Sequence, residues 1–178
     1  TILKQIKQIE NLVNEFSDFA RMPKPLLKKN NLNSVIQENI ELVNKLDNSI
    51  EIKMINHLSK NSIINFDYEQ FNRLFFNLIK NSLESIQEKA QKGNKINKNI
   101  DIEIRQRRDY ININILDTGI GFKNKKTKDL IKPYFTTKEK GTGLGLSIVD
   151  KIVSDHNGSI KFFNHKNGAK IQIIIPTN

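Results

Sequence analysis

The chain has 178 residues, 37% hydrophobic and 27% charged, with no cysteine and three histidines; this suits one domain plus an appendage and excludes disulfide scaffolds, thiolate metal sites and cysteine nucleophiles. Lys and Arg number 29 against 19 Asp and Glu, a formal charge of +10. The excess is mostly lysine in an Asn- and Ile-rich chain without a basic stripe interleaved with aromatics, so no nucleic-acid partner is expected.

No apolar run approaches the roughly 18 residues of a membrane span and no signal peptide is visible, so no membrane contact is expected from these residues. The first residue is Thr1, not Met, which suggests a piece of a longer protein. Residues 1–21 read as a helix. Ile2, Ile6, Ile9, Val13, Phe16 and Ala20 recur at heptad spacing, and Leu3, Leu12 and Phe19 widen the stripe. Such a face wants bundle partners, or else packs on the domain that follows. Pro23 and Pro25 stop the helix, and residues 22–31 read as a linker.

Asn33 or Ser34 can cap a second helix running to about Leu46. Residues 51–56 and 62–66 read as strands joined by a polar loop. Asp67 can cap a long helix over 68–91, with Phe71, Leu74, Phe75, Leu78, Ile79, Leu83 and Ile86 on one side. Ile100, Ile102 and Ile104 alternate, as do Ile111, Ile113 and Ile115, with Arg107-Arg108-Asp109 at the turn, which predicts a hairpin. Residues 117–145 are rich in Gly, Lys and Thr and read as a loop. A helix follows over 144–156, ended by Gly158, and residues 159–164 and 169–175 close the chain as strands. This order predicts an α+β fold, a two-layer sandwich with a mixed sheet covered on one face by helices.

Four short stretches carry chemistry. Gly141-Thr142-Gly143-Leu144-Gly145 opens directly onto a helix, so backbone N–H groups and the helix dipole can form an anion nest; alone, the stretch is equally a tight turn. Asp117-Thr118-Gly119-Ile120-Gly121 follows a strand, where the carboxylate can accept from an exocyclic amine such as adenine N6, or simply close an Asx turn. Asn77 and Asn81 share one side of the long helix at the margin of its apolar stripe. An amide oxygen there can ligate Mg²⁺ or line a solvated rim. In residues 133–138, Phe135 offers an anchor, Thr136 and Thr137 two hydroxyls, and Lys138 a cation for phosphate.

These four stretches, in this order, resemble the asparagine box, first glycine box, phenylalanine box and second glycine box of sensor histidine kinases, members of the GHKL ATPase superfamily. The resemblance covers about residues 32–177. It implies a Bergerat-type sandwich binding ATP and Mg²⁺ under a lid of about residues 122–142, to which Lys123, Lys125 and Lys126 add positive charge. By motif position Asn81 holds Mg²⁺ and Asn77 supports it. Asp117 bonds adenine N6, while Gly119 and Gly121 let base and ribose approach. Gly141, Thr142, Gly143, Leu144 and Gly145 cradle phosphate with Thr137 and Lys138, and the resemblance makes Asn77, Asn81 and Lys138 the catalytic residues. ATP hydrolases of the same superfamily place a glutamate where this chain has Asn77, and an amide cannot act as general base. A non-catalytic domain retaining the fold is the other alternative, which measured nucleotide affinity would separate.

Residues 15–25, beginning Glu15-Phe16-Ser17-Asp18-Phe19, closely resemble the end of the dimerisation helices in NtrY-type nitrogen-regulation sensor kinases. The resemblance makes residues 1–21 the second helix of a dimerisation hairpin, 22–31 a linker and hinge, and 32–178 the catalytic ATP-binding domain. It implies a homodimer through those helices, a response-regulator partner of the NtrX type, and a cytoplasmic location with the intact protein anchored in the bacterial inner membrane. His57, His156 and His165 all lack the context of a phosphoacceptor, which is expected on a helix outside this chain.

Overall fold

A computed structural model describes residues 2–58, 63–93, 96–122, 127–136 and 141–177. In chain order the elements are α1 (Ile2–Ala20), β1 (Lys28–Asn31), α2 (Leu32–Leu46), β2 (Glu51–Asn56), β3 (Ile63–Phe66), α3 (Tyr68–Gln91), β4 (Asn99–Gln106), β5 (Tyr110–Asp117), α4 (Thr127–Leu130), α5 (Gly145–Asp155), β6 (Ser159–His165) and β7 (Gly168–Pro176).

A five-stranded sheet runs β2-β4-β5-β7-β6, and only the β2–β4 pair is parallel. Alternation sets its register. Met54, Ile102, Ile115, Ile171 and Phe162 stand opposite one another across all five strands, and Ile104, Ile113, Ile173 and Ile160 form a second row. A one-residue slip would turn these rows outward. The buried rows meet the apolar faces of α2, α3 and α5, with α3 in contact with both other helices and with β4 and β5. The same period of two puts Asp117 on the helix-facing side, two residues beyond Ile115.

The caps fix where the helices begin. Asp67 caps α3 by accepting from the Gln70 N–H, and its other oxygen accepts from Leu26 N–H at 2.8 Å. The cap of α2 is Asn31, which accepts from the N–H groups of Asn33 and Ser34, rather than either of those residues. The shift arises because Asn31 is the last residue of β1 and keeps its extended backbone.

That strand is itself a departure from the sequence reading. Lys28–Asn31, expected within a linker, pairs antiparallel with β3 in a separate two-stranded sheet. Its four polar residues carry no alternation; backbone pairing and the Asn30 side chain donating to the Phe66 carbonyl at 2.8 Å hold it. Upstream, Gln70 donates to the Pro23 carbonyl at 3.0 Å. The 117–145 stretch, expected as a loop, contains the short helix α4, and Asn157 (φ 57°), not Gly158, makes the left-handed turn that ends α5.

The face of α1 divides. Leu12 and Phe19, with Met22 just beyond the helix, pack against the core, whereas Ile2, Ile6, Ile9 and Val13 of the heptad seam are between 56% and 75% exposed.

His156 is a buried structural histidine. Its Nε2 accepts from the Asp67 N–H at 3.0 Å, its Nδ1 donates to the Ile152 carbonyl at 2.8 Å, and its ring meets Phe71 edge-on at 4.8 Å. These contacts lock the end of α5 to the start of α3.

Candidate functional site

One polar stripe on α3 organises the site. Asn77, Asn81, Ser85 and Lys89 follow one another at four-residue spacing, with Ser82 beside them, so all five present toward the same side of the helix. Each touches a glycine-rich segment.

At the N-terminal end of the stripe, a Cβ on Gly145 would lie 3.2 Å from Asn77 Oδ1 and 3.7 Å from Asn81 Nδ2. The asparagine pair and the last glycine of the nest therefore meet, although 64 positions separate Asn81 from Gly145 (145 − 81). Asn77 Nδ2 donates to the Arg73 carbonyl at 2.9 Å, which fixes the amide with its oxygen toward Gly145.

Further along, Ser82 Oγ donates to Asp117 Oδ2 at 3.1 Å. Asp117 Oδ1 accepts from Gly119 N–H at 2.8 Å and from Ala169 N–H at 3.3 Å. Burial pushes the Asp117 carboxyl up from its ordinary range, and the two N–H groups, Ser82 and the charge of Lys89 oppose that shift. The result is a buried carboxylate held rigidly, with Oδ2 bonded to only one neighbour among those just named and able to accept again. Gly119 is required by close approach, since a Cβ there would lie 2.1 Å from Ser85 Oγ. Ser85 Oγ also accepts from Ile120 N–H at 3.0 Å. Lys89 Nζ donates to the carbonyls of Thr118 at 2.9 Å and Asn167 at 2.5 Å, tying the first glycine segment to the β6–β7 turn.

Gly121 lies apart from the stripe: its space is bounded by Asn164 Oδ1, which accepts from Phe122 N–H at 2.8 Å. Phe122 meets Phe162 edge-on at 5.4 Å, anchoring the chain as it leaves the sheet.

The nest itself begins at Gly141. Gly143 adopts φ 72°, and a Cβ there would lie 2.5 Å from the Tyr134 carbonyl carbon, so only glycine fits both the turn and the contact. Leu144 is wholly buried and precedes α5 with no side-chain cap, and the first turn of α5 carries no acidic residue. Among the described residues no side chain caps the start of this eleven-residue helix, whose first N–H groups have no partner within the helix itself. Thr137 and Lys138, expected at this site, lie outside the described residues, as do Lys123, Lys125 and Lys126. Among the described residues no group of three or more His, Asp or Glu side chains could hold a metal ion.

Ser82, Ser85 and Lys89 escaped the sequence reading. The signal for Ser85 and Lys89 lies in the sequence, since the four-residue spacing of Asn77 and Asn81 continues through both.

Residues 66–178 match the family described as Histidine kinase-, DNA gyrase B-, and HSP90-like ATPase. The chain is 32% identical over 161 residues to the nitrogen regulation protein NtrY of Azorhizobium caulinodans, covering 90% of this chain and 20% of that protein. It is 33% identical over 174 residues to an NtrY-like sensor histidine kinase of Rickettsia bellii, covering 96% and 27%. The chain therefore spans roughly a fifth to a quarter of these curated relatives. The fold superposes on the nucleotide-free catalytic domain of histidine kinase ThkA with TM-score 0.72 at 26% identity, covering 85% of this chain and 97% of that one. On histidine kinase AdeS of Acinetobacter baumannii the TM-score is 0.76 at 18% identity, covering 99% and 82%. The mixed sheet with its helical layer agrees with this match: the chain belongs to the histidine kinase-, DNA gyrase B- and HSP90-like ATPase family, in its sensor histidine kinase branch.

Proposed function

We propose that this chain is the Mg²⁺–ATP-binding catalytic part of a sensor kinase that passes the γ-phosphoryl group of ATP to a histidine on another helix, for relay to a response regulator of the NtrX type. The observation that carries this reading is the meeting of Gly145 with Asn77 and Asn81. It sets amide groups beside the uncapped N–H groups of α5, so a phosphate chain and a cation bound to it could be held from opposite sides.

In this reading Asp117 accepts from adenine N6, and Ser82, Gly119 and Ala169 hold the carboxylate in place. Gly141, Thr142, Gly143, Leu144 and Gly145 take the phosphates, and Thr137 and Lys138 complete the nest. Asn81 ligates Mg²⁺ through its amide oxygen with Asn77 in support. When bound, Mg²⁺ neutralises charge on the phosphates during transfer. With no acidic cluster among the described residues, it would share its ligands between the amide and the nucleotide's own oxygens. Asn77 does not serve as a base for water: its amide is bonded back to the Arg73 carbonyl and has no site to take a proton. The chain's part in catalysis is positioning, with the nucleophile delivered from outside.

The exposed heptad seam of α1 supports residues 1–21 as the second helix of a dimerisation hairpin that pairs two copies, with 22–31 as a connection and 32–178 as the catalytic domain. No described helix is long and apolar enough to cross a membrane, and we place this part in the cytoplasm, on a protein anchored in the inner membrane.

Asn81→Ala tests the metal assignment. Titrating ATP with and without Mg²⁺ should show that the substitution removes most of the tightening the cation gives, about tenfold or more. Mg²⁺-free binding and the thermal midpoint should stay near those of the unsubstituted chain. Equal losses with and without Mg²⁺ would show that Asn81 is not a ligand.

A further inference from the structure

The function proposed above gives Glu15 and Phe16 no role at the nucleotide site, yet Glu15 reaches the phosphate nest and Phe16 the tyrosine beside it. Thr142 Oγ1 donates to Glu15 Oε2 at 2.5 Å, joining residues 127 positions apart. One residue on, the Phe16 ring stacks on Tyr134, with centroids 6.2 Å apart. Tyr134 is held at φ 64°, a conformation unusual for a residue with a side chain. Its backbone is the surface against which Gly143 packs. Thus α1 grips both halves of the nest: Glu15 holds Thr142, and Phe16 holds the tyrosine beneath Gly143.

A carboxylate at this position does two things. It occupies the Thr142 hydroxyl proton, a donor that a bound phosphate could use. It also brings a negative charge to a site whose glycines and helix N-terminus favour anions. We infer that Glu15 is a γ-phosphate-discriminating residue of the nucleotide site, an internal anion standing at the nest that ATP must displace, so that nucleotide loading releases the 15–16 corner of α1. The inference rests on the reading of residues 141–145 as a phosphate site. By linkage, whatever affinity ATP loses to the contact is the free energy by which bound ATP loosens α1. The effect grows with phosphate charge, being smallest for adenosine, which reaches only the Asp117 pocket.

Calorimetric titration of the full chain, Glu15→Gln and Phe16→Ala with ATP, ADP and adenosine separates the possibilities. Glu15→Gln keeps the side-chain shape and removes the charge. It should tighten ATP about 5- to 10-fold, as expected for one charge a few ångströms from another near a protein surface. ADP should tighten less and adenosine not at all. Phe16→Ala frees the same corner without altering charge and should shift ATP in the same direction. Hydrogen exchange in residues 12–20 should rise when ATP binds. Unchanged or weaker ATP binding by Glu15→Gln, or equal tightening of adenosine, overturns the inference while leaving the ATP site intact. Failure of the unsubstituted chain to bind ATP or ADP while still binding adenosine would remove the phosphate site itself, and the inference with it.

Discussion

Incubated with γ-labelled ATP and Mg²⁺, this chain is expected to bind nucleotide and remain unlabelled. Transfer needs a histidine nitrogen in line with the γ-phosphate, and binding energy does not replace a missing reacting atom. None of the three histidines meets that need. Both ring nitrogens of His156 are engaged, by the Asp67 N–H and the Ile152 carbonyl. His156 also follows the last residue of α5, whose eleven residues place it roughly 16 Å from the nest at the helix start. His57 follows β2, near Glu103 at 3.8 Å, and His165 closes β6; neither stands on a helix. A fused helix carrying the acceptor histidine of the sensor kinases should give acid-labile phosphohistidine. Stoichiometric phosphohistidine on the chain alone would contradict the assignment of the acceptor.

Asp117→Asn should separate binding from stability. The carboxylate gives adenine N6 a charge-assisted bond of about 1.5–3 kcal/mol, so the amide should weaken ATP roughly 10- to 150-fold. Stability should move the other way. Burial raises the folded-state pKa of Asp117 above its ordinary 3.8. A raised carboxyl pKa contributes stability that is fully present below 3.8 and lost as pH rises through the folded value. Above that folded value the ionised, buried group is therefore a cost. The substituted side chain would keep an amide oxygen for the Gly119 and Ala169 N–H groups and let the Ser82 hydroxyl turn to accept. Thermal unfolding should give an equal or higher midpoint than the unsubstituted chain at pH 7, with the difference shrinking toward pH 4. A lower midpoint with unchanged ATP affinity would identify Asp117 as an Asx-turn residue and nothing more.

Much of this architecture was legible because it rests on periodicity. The isoleucine alternation of β4 and β5 gave the hairpin and its buried face, and the apolar stripe of α3 gave the central helix and its Asp67 cap. Of the four motif stretches, the asparagine pair and the last glycine of the nest meet in the fold, while Thr137 and Lys138 lie outside the described residues. What escaped depends on partners distant in sequence. β1 is four polar residues whose pairing with β3 is made by backbone groups, which leave no side-chain pattern. His156 reads only as the last residue of a helix until Asp67 and Phe71 arrive beside it. The cap of α2 moved to Asn31 because a strand ends there. The Glu15–Thr142 contact joins residues 127 positions apart, and no local rule connects them. Ser82 and Ser85 are different: their place on the stripe was readable, but their partners, Asp117 and Ile120, become evident only when β5 lies against α3.

If the α3 stripe, the nest and Asp117 form one ATP site, the chain should discriminate between purine nucleotides. Calorimetric titration of the chain with ATP and with GTP, each with Mg²⁺, tests it most directly. Asp117 accepts from the N6 amine of adenine, whereas guanine presents a carbonyl oxygen there, setting two acceptors face to face. Saturable one-to-one binding of ATP is expected, with GTP at least about tenfold weaker. Failure to bind ATP, or equal affinity for the two nucleotides, would contradict it.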